Sequence, residues 1–293
     1  MNSSTEHLAP ANGCAVDCTA DSAGGLTFDV PAAELPHDAA LVLRRRGPCA
    51  GQSAEEVLLP LTDVDGGRWR AVLPSTVALA EGHWDVRHGA VDGGGRLRTG
   101  ARDVAALNGR VPEAGLVTAR VPYPTADGGL ALRSWVRAPH AEAGEVHCLP
   151  GAVTVEGVLY GSGTGGGAGG PAVVEARPRG GGAAHRVPAT GRGGVFAFTL
   201  PYGPLAAASA GRRQWWDLWL VPEAGSAAAR IARILDDAWD KRRWALGPAQ
   251  ESGGARAVPR YTQDNGLSVR LDPARVPAPA VRRGITGDFL AGR

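Results

Sequence analysis

The chain has 293 residues, of which 44% are apolar, so it is long enough for two ordinary domains with buried cores. Its formal net charge of +2 gives no electrostatic reason to expect nucleic acid or an anionic membrane surface as a partner. Glycine and proline together make up about a fifth of the chain, which favours short strands joined by turns over long helices.

The first 23 residues match no other part of the chain, and we predict that residues 1–23 form a flexible N-terminal segment. They lack the basic start and continuous apolar run of a secretory signal. No stretch of the chain approaches the roughly 18 apolar residues that a membrane span needs. We therefore expect a cytoplasmic protein without a transmembrane segment, in which Cys14, Cys18, Cys49 and Cys148 are free thiols.

Five segments of the first half of the chain recur in the same order in the second half, at offsets that grow only where loops grow. Because the matches are collinear, they indicate an internal duplication. We predict domains over residues 24–138 and 148–273, a linker over 139–147 and a tail over 274–293. The matched segments are "LTFDV" and "VTVEG", "GRWRAVLP" and "GVFAFTLP", "HWDVR" and "WWDLW", "RLRTGARD" and "RIARILDD", and "YPTADGGLALR" and "RYTQDNGLSVR".

Apolar residues alternate with period two in these segments, as in strands that have one buried face. In "GVFAFTL" the residues Phe196, Phe198 and Leu200 share one face. Strands spaced by about 10–15 residues, with Asp-Gly and Asn-Gly turns, predict an all-β chain made of two tandem immunoglobulin-like β-sandwich domains. A glycine-rich stretch over 161–171 is expected to be a mobile loop.

The segment over residues 226–244 has helical spacing of apolar residues, but its counterpart in the first half does not. If both halves share a fold, part of this segment is a strand, and we favour a strand at "ARIARIL". The acidic residues Asp236, Asp237 and Asp240, with Lys241 beside them, are expected to form a solvated, self-paired face, with a polar binding edge as the alternative.

The stretch "QWWDLWLVP" holds three of the eight tryptophans. The repeat aligns Trp216 with Trp84, and we predict that both are core residues. Period two then places Trp215, Asp217 and Trp219 on the opposite face.

Two tryptophans on the solvent side of a sheet would form an exposed apolar patch, which indicates an interface or a ligand. We therefore predict Trp215, Asp217, Trp219 and Trp135 as binding residues. The patch could be an interface with a domain, a second copy or a partner. It could instead be a platform that stacks on sugar rings, or it could be buried under a local loop.

No catalytic residue, metal ligand or cofactor site is predicted. The seven histidines have no partner at a suggestive spacing, and the chain lacks a G-x-S-x-G motif. Cys14 and Cys18 lack the second cysteine pair of a zinc site, so a disulfide or no bond is expected there. The "GSGTGG" stretch is not followed by the helix of a dinucleotide-binding unit.

The motifs "GHWDVRHG" and "WWDLWLVP", with "RIARILDD" and the ending "RYTQDNGLSVRL", carry a resemblance that covers residues 24–273. They resemble the tandem immunoglobulin-like modules that lie C-terminal to the catalytic domains of bacterial cell-wall glycopolymer transferases. These include actinobacterial family-2 glycosyltransferases and teichoic-acid-type polymerases. The resemblance implies that such modules mediate oligomer contacts, often trimers, or hold acceptor polymer. No motif of the catalytic domain is matched, so no catalytic residue is transferred.

The sequence thus favours a non-catalytic accessory protein that works beside a cell-wall glycopolymer transferase, at the inner face of the membrane when held there by that partner. It would bind the partner chain or its own copies through the aromatic face. A carbohydrate-binding module for a glycopolymer is the alternative, and a transferase in its own right is the third hypothesis.

Overall fold

A computed structural model describes residues 14–32, 40–47, 55–64, 67–89, 95–112, 115–161, 172–223 and 226–274. It is nearly all-β, which confirms the predicted fold class. Residues 162–171 of the glycine-rich stretch, Cys49 and almost all of the predicted tail lie outside these residues.

The first half of the described chain folds into two five-stranded sheets. Period-two burial in the strands turns one face of each sheet towards a shared apolar core that includes Phe28, Leu43 and Trp84. The strands are β1 Ala15–Ala20, β2 Leu26–Pro31, β3 Leu41–Arg45, β4 Glu56–Leu59, β5 Thr62–Val64, β6 Arg68–Leu73, β7 Gly82–His88, β8 Arg98–Asp103, β9 Val117–Pro124 and β10 Leu130–Arg137, with a short 3-10 helix at Ala105–Leu107. The strand order is β5-β6-β2-β1-β8 in one sheet and β4-β3-β7-β10-β9 in the other.

The second half has a second apolar core, and its strands form one sheet. Phe196, Phe198 and Leu200 are buried in that core, as their alternation predicts. The elements are β11 His140–Leu149, β12 Ala152–Tyr160, β13 Val173–Pro178, β14 His185–Pro188, β15 Val195–Pro201, α1 Tyr202–Ser209, β16 Gln214–Val221, β17 Ala229–Ala232, β18 Gln250–Ser252, β19 Ala255–Tyr261 and β20 Leu267–Pro273. Because β17 pairs with both β11 and β16, it joins these strands into one sheet.

The two halves pair their strands in the same pattern. In the first half β1 pairs with β2 and, in parallel, with β8; in the second, β11 pairs with β12 and, in parallel, with β17. The register agrees as well, since Leu26 lies opposite Leu73 and the residues 127 positions later, Val153 and Leu200, also face each other. Shared pairing and register are what a duplicated unit predicts.

Two predicted boundaries are wrong. Residues 15–20, assigned to the flexible N-terminal segment, form β1, where Val16 and Cys18 are buried in the core. Residues 140–147, assigned to the linker, belong to β11, whose His140 and Ala141 are fully buried. Each strand pairs with the next strand along the chain, β2 or β12, and on its other side with a distant strand, β8 or β17.

The strand favoured at "ARIARIL" is present as β17, and the turns before β10 and β20 form as predicted. The acidic segment after β17 is different from the prediction. Asp236 is 7% exposed and Lys241 is fully buried, with their Oδ1 and Nζ atoms 2.5 Å apart. The pair is therefore part of the packed interior, and Asp240, which pairs with Arg242, has a side chain that is itself only 13% exposed.

Candidate functional site

The outward face of β16 brings together three of the four predicted binding residues. Trp216 is 2% exposed and points into the core, which confirms its predicted role, and Trp84 in the first half is fully buried in the same way. Because side chains alternate along a strand, Trp215, Asp217 and Trp219 lie on the other face of the sheet, where each is half-buried.

Arginine side chains flank Trp219 from both neighbouring strands. The Cζ atom of Arg177 on β13 lies 4.7 Å from the ring centroid, and that of Arg230 on β17 lies 5.6 Å from it. A guanidinium over an indole face is attracted by the ring quadrupole, a contact worth about 0.5–1 kcal/mol at an exposed site. The ring faces of Trp219 are therefore occupied by groups of the chain itself.

Trp215 has the same arrangement. Arg179, just after β13, places its Cζ atom 5.0 Å from the ring centroid, and Arg270 on β20 places its own at 5.9 Å. We call the resulting alternation of rings and guanidinium groups the arginine–tryptophan ladder: Trp215, Trp219, Arg177, Arg179, Arg230 and Arg270. The predicted tryptophans are thus covered by arginines, among the described residues, and not by a loop.

Asp217 lies at the centre of the ladder and holds it together. Its Oδ1 accepts hydrogen bonds from Nη2 of Arg179 at 2.9 Å, from Nη2 of Arg230 at 3.0 Å and from the hydroxyl of Ser268 at 2.6 Å. Burial raises the pKa of Asp217, but the hydrogen bond from Arg179 and the charge of Arg230 outweigh burial, so the pKa lies below its ordinary value. Burial lowers the pKa of Arg230 to about 10, so that guanidinium stays protonated at neutral pH.

The first half has an equivalent carboxylate that also pairs with two arginines. Asp85 on β7, at the position equivalent to Asp217, pairs with Arg46 and with Arg96. Because this arrangement occurs at matching positions of both halves, its simplest role is to tie neighbouring strands together. Asp217 therefore stabilises the sheet, and its carboxylate has little capacity left for a ligand.

The prediction for Trp135 is wrong. Its side chain is fully buried in the first apolar core, in a cluster that also contains Ile234 and Leu235 of the second half. Arg133 lies over its ring at 4.9 Å. Trp135 does face outward from β10, as alternation implies, but the other half of the molecule packs over it.

The outer surface of β9 and β10 is in fact the contact between the halves. Tyr123 stacks on Trp239 with ring centroids 4.0 Å apart and planes inclined by 20°. Arg133 reaches Asp264, in the turn before β20, at 3.0 Å. The second half thus covers the first half with the segment after β17 and with that turn.

The equivalent outer surface of the second half, on β13, β14 and β16–β20, has no such cover from the described residues. Its outward positions hold eight arginines against four carboxylates, so the surface has an excess of positive charge. We call it the cationic surface. Its arginines are Arg177, Arg179, Arg186, Arg213, Arg230, Arg256, Arg260 and Arg270, and its carboxylates are Glu175, Asp217, Glu251 and Asp272.

These arginines were not predicted as a group, because they are spread over six segments of the chain. A local signal was present, since the arginines of "EARPR" and "ARAVPR" recur at even spacings and so share one face of a strand. In the part of the chain that the structure describes, no group of three histidine, cysteine or acidic residues is placed to hold a metal ion. Cys14 and Cys18 are both buried, and no disulfide joins them.

Fold and surface together define an all-β protein with β-sandwich layers that presents a cationic, tryptophan-bearing sheet face. No family model matches the chain, and no curated protein matches it. Among solved structures, two distant neighbours are both from S. aureus TarS, each 13% identical. The crystal structure of TarS 217–571 has a TM-score of 0.28 and covers 66% of this chain, and that of TarS has 0.27 and covers 64%.

This chain spans 56% and 35% of the lengths of those two TarS chains. At such TM-scores the likeness transfers neither a detailed fold nor a function. Within the described residues, no helix is long and apolar enough to cross a membrane.

Proposed function

We propose that this protein is a non-catalytic accessory protein of a cell-wall glycopolymer transferase system, built from two tandem immunoglobulin-like units. In this proposal it binds a partner chain or a second copy of itself through the cationic surface. The association with a transferase system rests on the resemblance of the "WDV" and "WDLW" strands and of the turn–strand endings. The partner, in turn, would hold the protein at the inner face of the membrane.

A single observation supports binding at this surface. The equivalent surface of the first half is an interface already, covered by Trp239 and Asp264 of the second half, whereas the second-half surface has no described cover. Tryptophan and arginine are the residues most enriched at the energetic centres of protein interfaces. The ladder holds Trp215 and Trp219 in fixed positions, so binding would order few additional side chains.

Co-expression with the cell-wall glycopolymer transferase of the same genome tests the proposal. Size-exclusion chromatography with light scattering should give either a complex of the two chains or a homo-oligomer. A mass of one chain in both preparations would contradict it. The variant Trp215→Ser/Trp219→Ser should keep its far-UV circular dichroism spectrum but lose the association, because only surface contacts are removed.

An anionic glycopolymer is the second candidate, because the excess of arginine on the cationic surface would attract phosphate or carboxylate groups. The occupied ring faces of Trp215 and Trp219 weigh against sugar stacking. Retardation in gels that contain a teichoic-type polymer tests this alternative. Heat in calorimetric titrations with UDP- or CDP-linked donors would instead support the third hypothesis, a transferase.

A further inference from the structure

Strand register allows the outer surfaces of the two halves to be compared position by position. In the first half, β9 and β10 supply the positions that the second half covers. In the second half, β19 and β20 supply the equivalent positions. The equivalent pairs are Ala119 and Arg256, Val121 and Val258, Tyr123 and Arg260, Arg133 and Arg270, and Trp135 and Asp272.

The character of these positions differs between the halves. Ala119, Val121, Tyr123 and Trp135 are at most 3% exposed, since the second half packs on them. Three of the four are replaced by charged residues in the second half, where none of the four positions is buried. An apolar loop like the one that carries Trp239 would leave Arg256 and Arg260 in an interface without a carboxylate from the partner, which is unfavourable.

Two of the arginines form no ion pair with any residue that the structure describes. No described carboxylate lies within 4.0 Å of the guanidinium nitrogens of Arg256 or Arg260, although Glu251 is opposite Arg256 in the register. Arg260 faces Ser268, which already donates its hydroxyl hydrogen to Asp217. Both guanidinium groups are thus available to a partner, unlike those of the ladder.

The geometry points to an occupant of definite chemistry: we propose that the cationic surface is the docking surface for an acidic loop of a partner protein. This deepens the proposed function and rests on it. A polypeptide is favoured because the matching surface of the first half binds a polypeptide segment that supplies Trp239 and the carboxylate of Asp264. The loop must be acidic because Arg256 and Arg260, at two of the replaced positions, have no carboxylate partner among the described residues. Sugar and base stacking are disfavoured, because arginines of the chain occupy the indole faces.

The experiment reverses the two unpaired charges. Arg256→Glu/Arg260→Glu is compared with Arg98→Glu/Arg192→Glu, which makes the same change of charge at exposed positions away from this surface. Binding of the full chain to poly-L-glutamate and to the co-expressed transferase is measured by calorimetry at low and at physiological salt. The Arg256→Glu/Arg260→Glu variant should bind both ligands about tenfold or more weakly than the wild type. The control variant should bind both with nearly unchanged affinity.

The outcomes separate this inference from the proposed function. If the transferase binds the wild type and Arg256→Glu/Arg260→Glu equally, the docking surface is wrong while the accessory function stands. If the transferase does not bind the wild type and the chain is also a monomer, the accessory function fails, and binding to poly-L-glutamate alone then tests the chemistry of the surface.

If the protein binds a teichoic-type polymer but not poly-L-glutamate, the proposal of an acidic loop is wrong and a glycopolymer is the ligand. Circular dichroism controls for folding. The milder Arg256→Ser/Arg260→Ser variant should show a smaller loss in the same direction.

Discussion

Replacing Asp217 with asparagine removes a carboxylate that three neighbouring groups share. Arg179, Arg230 and Ser268 donate hydrogen bonds to it, and the side chain of Arg230 is only 16% exposed. Breaking a buried ion pair costs about 3–5 kcal/mol, because the remaining charge loses its partner. Since the Asp217 side chain is itself 24% exposed, we expect the low end, a loss of about 3 kcal/mol in the free energy of unfolding.

Urea unfolding followed by tryptophan fluorescence measures this loss. The control is Glu55→Gln, which removes a pair with Arg45 whose side chains are 46% and 40% exposed, and should cost less than about 1 kcal/mol. If Asp217→Asn and Glu55→Gln unfold with free energies equal to within about 0.5 kcal/mol, Asp217 does not hold the ladder together.

Acid should remove the difference between wild type and Asp217→Asn. The pKa of Asp217 in the folded protein lies below its ordinary value of 3.8, so the unfolded state binds the proton more readily. The stabilisation is therefore fully present above that ordinary value, and it is lost as the pH falls through the folded-state pKa. Urea midpoints of the two proteins should converge only in this acidic range, and a constant difference down to strong acid would contradict the assignment.

Three further predictions concern buried groups. Trp135→Ala should cost about 3–5 kcal/mol of unfolding free energy, because it opens a cavity between the halves, whereas an exposed binding tryptophan would cost far less. Lys241→Met should cost about 3–5 kcal/mol by leaving Asp236 buried without a partner, and an unchanged urea midpoint would refute the buried pair. Burial raises the pKa of Cys18 to about 12, so iodoacetamide at mildly alkaline pH should modify the partly exposed Cys148 before Cys18, as mass spectrometry would show.

The sequence by itself determined the strand content and much of the register. Period-two alternation gave the strands and their buried faces, so Trp84 and Trp216 were correctly placed in the cores. The collinear matches aligned Trp216 with Trp84, and cross-strand neighbours agree with that alignment, since Leu132 and Val269 occupy equivalent positions beside them. Alternation and turn residues act over a few residues, so a local pattern is enough to reveal them.

Only the tertiary structure decided what lies over each outward face. Alternation places Trp135 and Trp219 on outer faces alike, yet one is buried between the halves and the other stands between Arg177 and Arg230. The N-terminal strand β1 and the first residues of β11 were likewise missed; each pairs with a distant strand, β8 or β17, as well as with the next strand along the chain. A strand's period fixes which side of a sheet a residue faces; contacts between residues tens of positions apart fix whether that side meets protein or solvent, and no local pattern encodes them.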